Sequence, residues 1–172
     1  MGCCFRKSTL TSIYANRLFI SVILIVLLSF VSCSDSDCVL TNSVTANIKL
    51  FEGVKGEPVV ILDTLTIKAT RPQGDTIIIN RDTRATGFLL PLSYTSTCDI
   101  FIFCYNDYIY DSLYIYHTCE PTFISIECGA VMYHTITDVQ CSNNVMDSVK
   151  IANAKVDNNG NTNIKIFYTL SE

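Results

Sequence analysis

The sequence predicts an all-β sandwich, immunoglobulin- or transthyretin-like, with about 8–10 short strands over residues 44–172. Three observations predict it. Runs rich in Val, Ile, Thr, Tyr and Phe recur along the chain. Turn-forming residues separate these runs at short intervals. No window after residue 43 carries a convincing helical period.

Taken in order, the predicted strands are Val44–Phe51, Val59–Lys68, Thr76–Asn80, Gly87–Leu92, Asp99–Tyr105, Ser112–His117, Phe123–Glu127, Val131–Val139, Ser148–Ala154 and Asn163–Leu170. Gly53, Gly56 and Pro58 punctuate the first gap, and Arg71-Pro72-Gln73-Gly74 a later one. Asn106-Asp107, Gly129 and Asp157-Asn158-Asn159-Gly160 do the same further on. Pro91 lies inside a run and cannot donate to a ladder, so that strand is expected at an edge or a bulge.

The N-terminus sets an address. Residues 1–32 hold no Asp or Glu, and Arg6, Lys7 and Arg17 precede an apolar run from Leu18 to Ser32. A helix of that length spans roughly 22 Å, short of a ~30 Å hydrocarbon core. A cleaved export signal over residues 1–32 is the better reading, with an uncleaved anchor as the alternative. Val31-Ser32-Cys33 resembles a bacterial lipobox, although Phe30 stands where lipoboxes usually carry Leu. The resemblance implies a diacylglyceryl thioether on Cys33 and a membrane partner through it. Met1-Gly2-Cys3-Cys4 suggests myristoylation instead, but Arg6 replaces the hydroxyl residue that modification wants.

Residues 33–43 would then form the lipidated cysteine and an acidic tether beginning Ser34-Asp35-Ser36-Asp37. The tether reads either as a solvated spacer or as a surface-export tag. The outer membrane is favoured as the location, with the facing side left open. Acidic residues outnumber basic ones, 16 to 12. That balance argues against a nucleic-acid partner.

Nine cysteines are present. Cys3 and Cys4 leave with the signal and Cys33 takes lipid. An even set then remains in an exported chain, which favours disulfides without fixing their connectivity. There is no Cys-x-x-Cys, and His117 and His134 are the only histidines. Neither a metal site nor another cofactor is expected.

Cys98–Cys119 is the most informative stretch. Phe101, Phe103 and Tyr105 share one parity against Ile100 and Ile102. Tyr108, Tyr110, Tyr114 and Tyr116 share one parity against Ile109, Leu113 and Ile115. A register with Phe101 opposite Tyr116 stacks the aromatics on one face and sets Cys98 opposite Cys119, predicting a bridge between them. A tighter turn at Asn106-Asp107 would part the two cysteines. The tyrosine stripe reads as sandwich core more readily than as a glycan-stacking platform.

The phrases beginning at Asp63, Asp75, Asp111 and Asp147 read as turn-closing Asp-Ser/Thr pairs rather than calcium ligands. No Gly-x-Ser-x-Gly, phosphate loop or His-Glu-x-x-His occurs, and Asp99, Glu127 and Asp138 are scattered.

Asp111-Ser112-Leu113-Tyr114-Ile115, Phe123-Ile124-Ser125-Ile126-Glu127-Cys128-Gly129, Asp147-Ser148-Val149-Lys150-Ile151-Ala152-Asn153 and Asn163-Ile164-Lys165-Ile166-Phe167-Tyr168, with Leu90-Pro91-Leu92 and Cys38, resemble an uncharacterised lipoprotein family of the Bacteroidota, a domain of unknown function. The resemblance implies lipoprotein status, a β-rich fold and a Cys38–Cys128 disulfide. That bond would close a loop of about 91 residues and contribute roughly 4–5 kcal/mol. It implies no activity. The expected function is a non-enzymatic, outer-membrane-anchored binding or structural accessory of the cell envelope, with another envelope protein as partner. The alternatives are a glycan- or small-ligand-binding module using Tyr108–Tyr116, and an unrecognised hydrolase.

Overall fold

The computed structural model describes Arg17, Ile20, Ser21 and residues 44–53, 56–126 and 128–169. The chain divides into two units, Met1–Asp37 and Cys38–Glu172. In the first, Arg17, Ile20 and Ser21 are helical. Cys33, Cys38 and the acidic tether lie outside the described residues, and with them the expected lipidation.

Ten strands order the second unit: β1 (Thr45–Glu52), β2 (Leu65–Thr70), β3 (Thr76–Asp82), β4 (Gly87–Pro91), β5 (Cys98–Tyr105), β6 (Ile109–Ser125), β7 (Gly129–Cys141), β8 (Met146–Ile151), β9 (Lys155–Val156) and β10 (Ile164–Tyr168). They form a four-stranded sheet, β4-β1-β10-β8, and a six-stranded sheet, β3-β2-β5-β6-β7-β9. The all-β sandwich is as expected. Strand β4 lies at a sheet edge, where Pro91 loses no ladder bond.

The core forms because each strand alternates. Ala46, Ile48 and Leu50 of β1 point inward with Ile164, Ile166 and Tyr168 of β10. They meet Leu65, Ile67 and Ala69 of β2, Phe101, Phe103 and Tyr105 of β5, and Leu113 and Ile115 of β6. Phe88 of β4 packs edge-on against Phe103 across the interior, with ring centroids 5.5 Å apart. Strands β1 and β10 run parallel, with Ile48 beside Ile164. Asn163 sets the start of β10. It is buried, it accepts from the Asn47 amide at 2.9 Å, and it donates to the Asn153 and Lys155 carbonyls at 3.1 and 2.8 Å.

Gly87 sits where β4 passes β1 closely. A Cβ there would lie 2.4 Å from the Ile48 carbonyl oxygen. Backbone cannot yield as a side-chain tip can, so Gly87→Ala must push the strands apart. The expected loss is about 1–3 kcal/mol in urea unfolding, whereas Leu89→Ala at an exposed neighbour should leave the midpoint almost unchanged.

Several expectations need correction. The run at Ser112–His117 and the residues Phe123–Ser125 of the next belong to one 17-residue strand, β6, while Ile126 is in a turn and Glu127 lies outside the described residues. Pro121 is tolerated inside the strand because β5 pairs only as far as Tyr116, so beyond that point β6 has a ladder on the β7 side alone. The strand expected to start at Val59 starts at Leu65, and residues 58 and 61 make isolated bridges instead. The strand expected to run to Ala154 ends at Ile151, after which the chain crosses sheets. Val156 of β9 then pairs with His134 of β7.

The register of β5 against β6 also differs. Phe101 faces Leu113, Phe103 faces Asp111, and Cys98 faces Tyr116 rather than Cys119. The turn explains this. Asn106 and Asp107 both take positive φ (50° and 68°), and the Tyr108 amide donates to the Tyr105 carbonyl at 3.2 Å. Two left-handed residues suit the right-handed twist of a hairpin. Tyr108 is then left over before Tyr105 pairs with Ile109. Asn106 is held by the approach to β2. Its amide donates to the Thr64 carbonyl at 2.8 Å, its Oδ1 accepts from the Thr64 amide at 3.1 Å, and its Nδ2 donates to Asp63 at 2.8 Å. An odd shift in register swaps faces, so the phenylalanines and the tyrosines point to opposite sides of the sheet.

Candidate functional site

Two constellations stand out, one on the outer surface and one inside. On the outside, Tyr110, Tyr114 and Tyr116 of β6 point away from the core. Tyr110 is 50% exposed, and Tyr114 and Tyr116 are half-buried. Tyr108, in the turn, is 71% exposed. Their cross-strand neighbours on β5 are Cys104, Ile100 and Cys98, with Ile102 beside Ser112. The reading of the stripe as core is therefore wrong. The same sheet face carries aromatic rings interleaved with half-exposed isoleucines.

The expected Cys98–Cys119 bridge is absent, and both are free thiols. The register prevents it, since Cys119 lies beyond the end of the β5 ladder and faces His134 on β7. Burial pushes the Cys98 thiol up, with the Asp99 charge adding to it, and burial raises Cys119 as well. These are protonated thiols at neutral pH and poor nucleophiles. Cys104 and Cys141 are free too. Cys128 is disulfide-bonded.

Inside, a polar chain crosses the end of the core. Asp99 of β5 shares the inward parity of Phe101 and is 2% exposed. One carboxylate oxygen accepts from Arg71, which also donates to the Pro91 carbonyl at 3.0 Å. The other accepts from the Ser93 amide at 2.6 Å and contacts His117 Nε2 at 3.0 Å. His117 Nδ1 meets His134 Nδ1 at 3.2 Å. Tyr94 stacks over His134, with ring centroids 5.7 Å apart.

Burial alone would raise the Asp99 carboxyl. The bonds from His117 and the Ser93 amide, with the Arg71 and His117 charges, outweigh it and hold the carboxyl below its usual value. His134 moves the other way. Burial and the His117 charge lower it to about 4, against a smaller upward pull from Asp99. One hydrogen lies between the two Nδ1 atoms, and His117 Nε2 holds the far side of its ring against the carboxylate. His134 Nε2 is the one buried side-chain nitrogen or oxygen among the described residues without a hydrogen-bond partner. The chain links four side chains, yet its terminal nitrogen is sealed from solvent. Among the described residues no group of three or more His, Cys, Asp or Glu is placed to hold a metal ion.

A third polar centre is structural. Asp111, 1% exposed, accepts at one oxygen from Ser142 Oγ (2.6 Å) and the Asn144 amide (2.8 Å). Its other oxygen accepts from the Val145 (2.7 Å) and Met146 (2.9 Å) amides. It ties the β7–β8 loop to the start of β6. The expectation of a turn-closing aspartate at this position is therefore replaced by an inward carboxylate inside a strand. A signal for both carboxylates was present: Asp99 shares parity with Phe101 and Phe103, and Asp111 shares parity with Leu113 and Ile115. An aspartate in phase with core residues must find donors.

These features define a compact β-sandwich domain with an outward aromatic face and an internal polar framework satisfied at every buried side-chain atom described except His134 Nε2. The chain belongs to the Family of unknown function (DUF6452), whose model matches residues 64–168. No curated protein and no solved structure matches it.

Proposed function

We propose that the protein is a non-enzymatic, lipid-anchored binding accessory of the bacterial cell envelope, of the Bacteroidota lipoprotein type, and that the outer face of its six-stranded sheet is the contact surface. The observation that carries the reading is Tyr110, Tyr114 and Tyr116 pointing outward together beside Ile100 and Ile102. Aromatic rings mixed with aliphatic side chains suit a protein partner, because both lose apolar surface on contact. In this reading Cys33 carries diacylglycerol, the outer membrane holds the anchor, and Cys38 is the partner of Cys128. The exposed rings of Tyr108 and Tyr110 favour a second reading, a glycan- or small-ligand-binding module.

The test places a photo-crosslinking residue at Tyr114 in the full chain, with one at Leu89 of β4 as the control, since Leu89 is 59% exposed on the other sheet. The expected result is one discrete envelope protein captured from position 114 and not from 89, and lost when Tyr110 and Tyr116 are both replaced by Ser. Equal capture from both positions overturns the surface assignment. Capture of glycan alone selects the second reading. Labelled palmitate should enter the wild-type chain and fail to enter Cys33→Ser. Turnover of an envelope polymer by the purified chain removes the non-enzymatic reading.

A further inference from the structure

At one open end of the sandwich lies a cavity of about 430 Å³. It is distinct from the tyrosine face of β6 and from the Asp99 chain. Ile61, Leu62 and Val145 form apolar walls, and the floor is made by Tyr105 of β5 and Tyr168 of β10. The two phenols come from opposite sheets and are 1% and 3% exposed, with their hydroxyl oxygens 3.0 Å apart. Burial is the main cause raising both phenols far above their usual value, so both stay protonated.

Proton counting gives the floor its chemistry. Two hydroxyls carry two hydrogens. One lies in the bond between them, and no side chain or carbonyl among the described residues accepts the other. A buried O–H donor therefore faces a space of ligand size. The nearest charge on the lining is Asp63, whose Oδ1 accepts from Asn106 Nδ2 at 2.8 Å. Among the described residues no cation lines the cavity. A ligand anion would lose hydration there with nothing to compensate and a carboxylate beside it.

We propose that this end cavity binds a small, mainly apolar, uncharged molecule carrying one hydrogen-bond-accepting oxygen, such as an aryl ketone. The oxygen takes the free phenolic hydrogen, and the hydrocarbon body replaces water against Ile61, Leu62 and Val145. Binding bridges the two sheets at Tyr105 and Tyr168.

Fluoroacetophenone and fluorobenzoate, a neutral ketone and an anion of nearly the same shape, test this by fluorine NMR titration of the full chain. The ketone should bind saturably and the carboxylate at least tenfold more weakly. The Tyr105→Phe/Tyr168→Phe pair should weaken the ketone about tenfold, since it removes the donor and leaves the walls intact. Val60→Trp at the mouth, where Val60 is 38% exposed, should block entry. Equal affinity for ketone and carboxylate, or unchanged ketone binding in both variants, overturns the proposal. Amide shifts in the wild-type chain keep the question open to a result if the phenylalanine pair fails to fold. Perturbation at Leu62, Tyr105, Val145 and Thr169 supports the site, and perturbation confined elsewhere rejects it.

Discussion

Replacing Asp111 with asparagine will destabilise the domain by about 3–5 kcal/mol, more than most core truncations of a single methylene group. The change is nearly isosteric, so packing does not predict it. The effect comes from proton direction. Each carboxylate oxygen accepts at least one backbone N–H, Asn144 on one side and Val145 with Met146 on the other. Whichever way an asparagine amide is turned, its NH₂ points at a backbone N–H. One or two buried donors lose their acceptor, and a repulsive contact takes its place. Asp111→Ala should cost a similar amount by leaving all the donors unpaired. Urea unfolding gives the loss directly. Hydrogen exchange should show residues 142–146 released first, because the carboxylate supplies four of the bonds that hold them to β6. A loss below about 1 kcal/mol for both variants would show that water replaces the carboxylate at no cost, against its burial.

The second large effect is a loss of stability in mild acid. His134 is buried with its basicity lowered to about 4 from an ordinary 6.5. Below about pH 6.5 the unfolded chain takes up a proton that the folded chain refuses. Stability therefore falls as pH drops from 6.5 toward 4 and levels off below that, since both states are then protonated. At ~1.4 kcal/mol per pH unit the window is worth up to about 3 kcal/mol. The groups facing the ring are His117, Asp99 beyond it and the stacked Tyr94, while Lys155 on β9 turns away to Asp157 and the Tyr133 ring. Asp99 acts in the same direction but lower on the scale. Its carboxyl is depressed, so the stability it supplies is present above about pH 4 and lost as pH falls through its folded value. His134→Phe should flatten the slope between pH 6.5 and 4 and leave the steeper fall below it. A slope unchanged in that variant would place the acid sensitivity elsewhere.

Much of the sandwich was legible because β-sheet burial is written in period two. Ala46, Ile48 and Leu50 in β1, or Ile164 and Ile166 in β10, announce an inward face without any partner in view. The two parities of β5 and β6 were legible for the same reason. Which parity met which was not, because that depends on a turn. A shift of three positions at Asn106-Asp107 sent the tyrosines outward and separated Cys98 from Cys119, and the backbone of Thr64, some forty residues upstream, helps hold that turn. Long-range hydrogen bonds of this kind leave no local pattern. The same holds for the joining of β6 across Pro121, which depends on where β5 stops, and for β9, whose two residues are too short to carry a period. The Arg71–Asp99–His117–His134 chain draws on residues far apart in sequence. Only the inward phase of its aspartate hinted at it.

The side-by-side alignment of β1 with β10 also governs when the domain can form. Asn47 bonds to Asn163 across 116 positions, and β1 has β10 as one of its two neighbours. A nascent chain that has emerged only as far as β8 has its first strand in hand but lacks the ribbon meant to lie against it. The four-stranded layer therefore assembles only after β10 has been made. Closing so distant a contact is slow, because chain entropy must be given up first. Such late closure leaves the polypeptide pliable for longer, the condition in which a chain can still be threaded through a narrow passage.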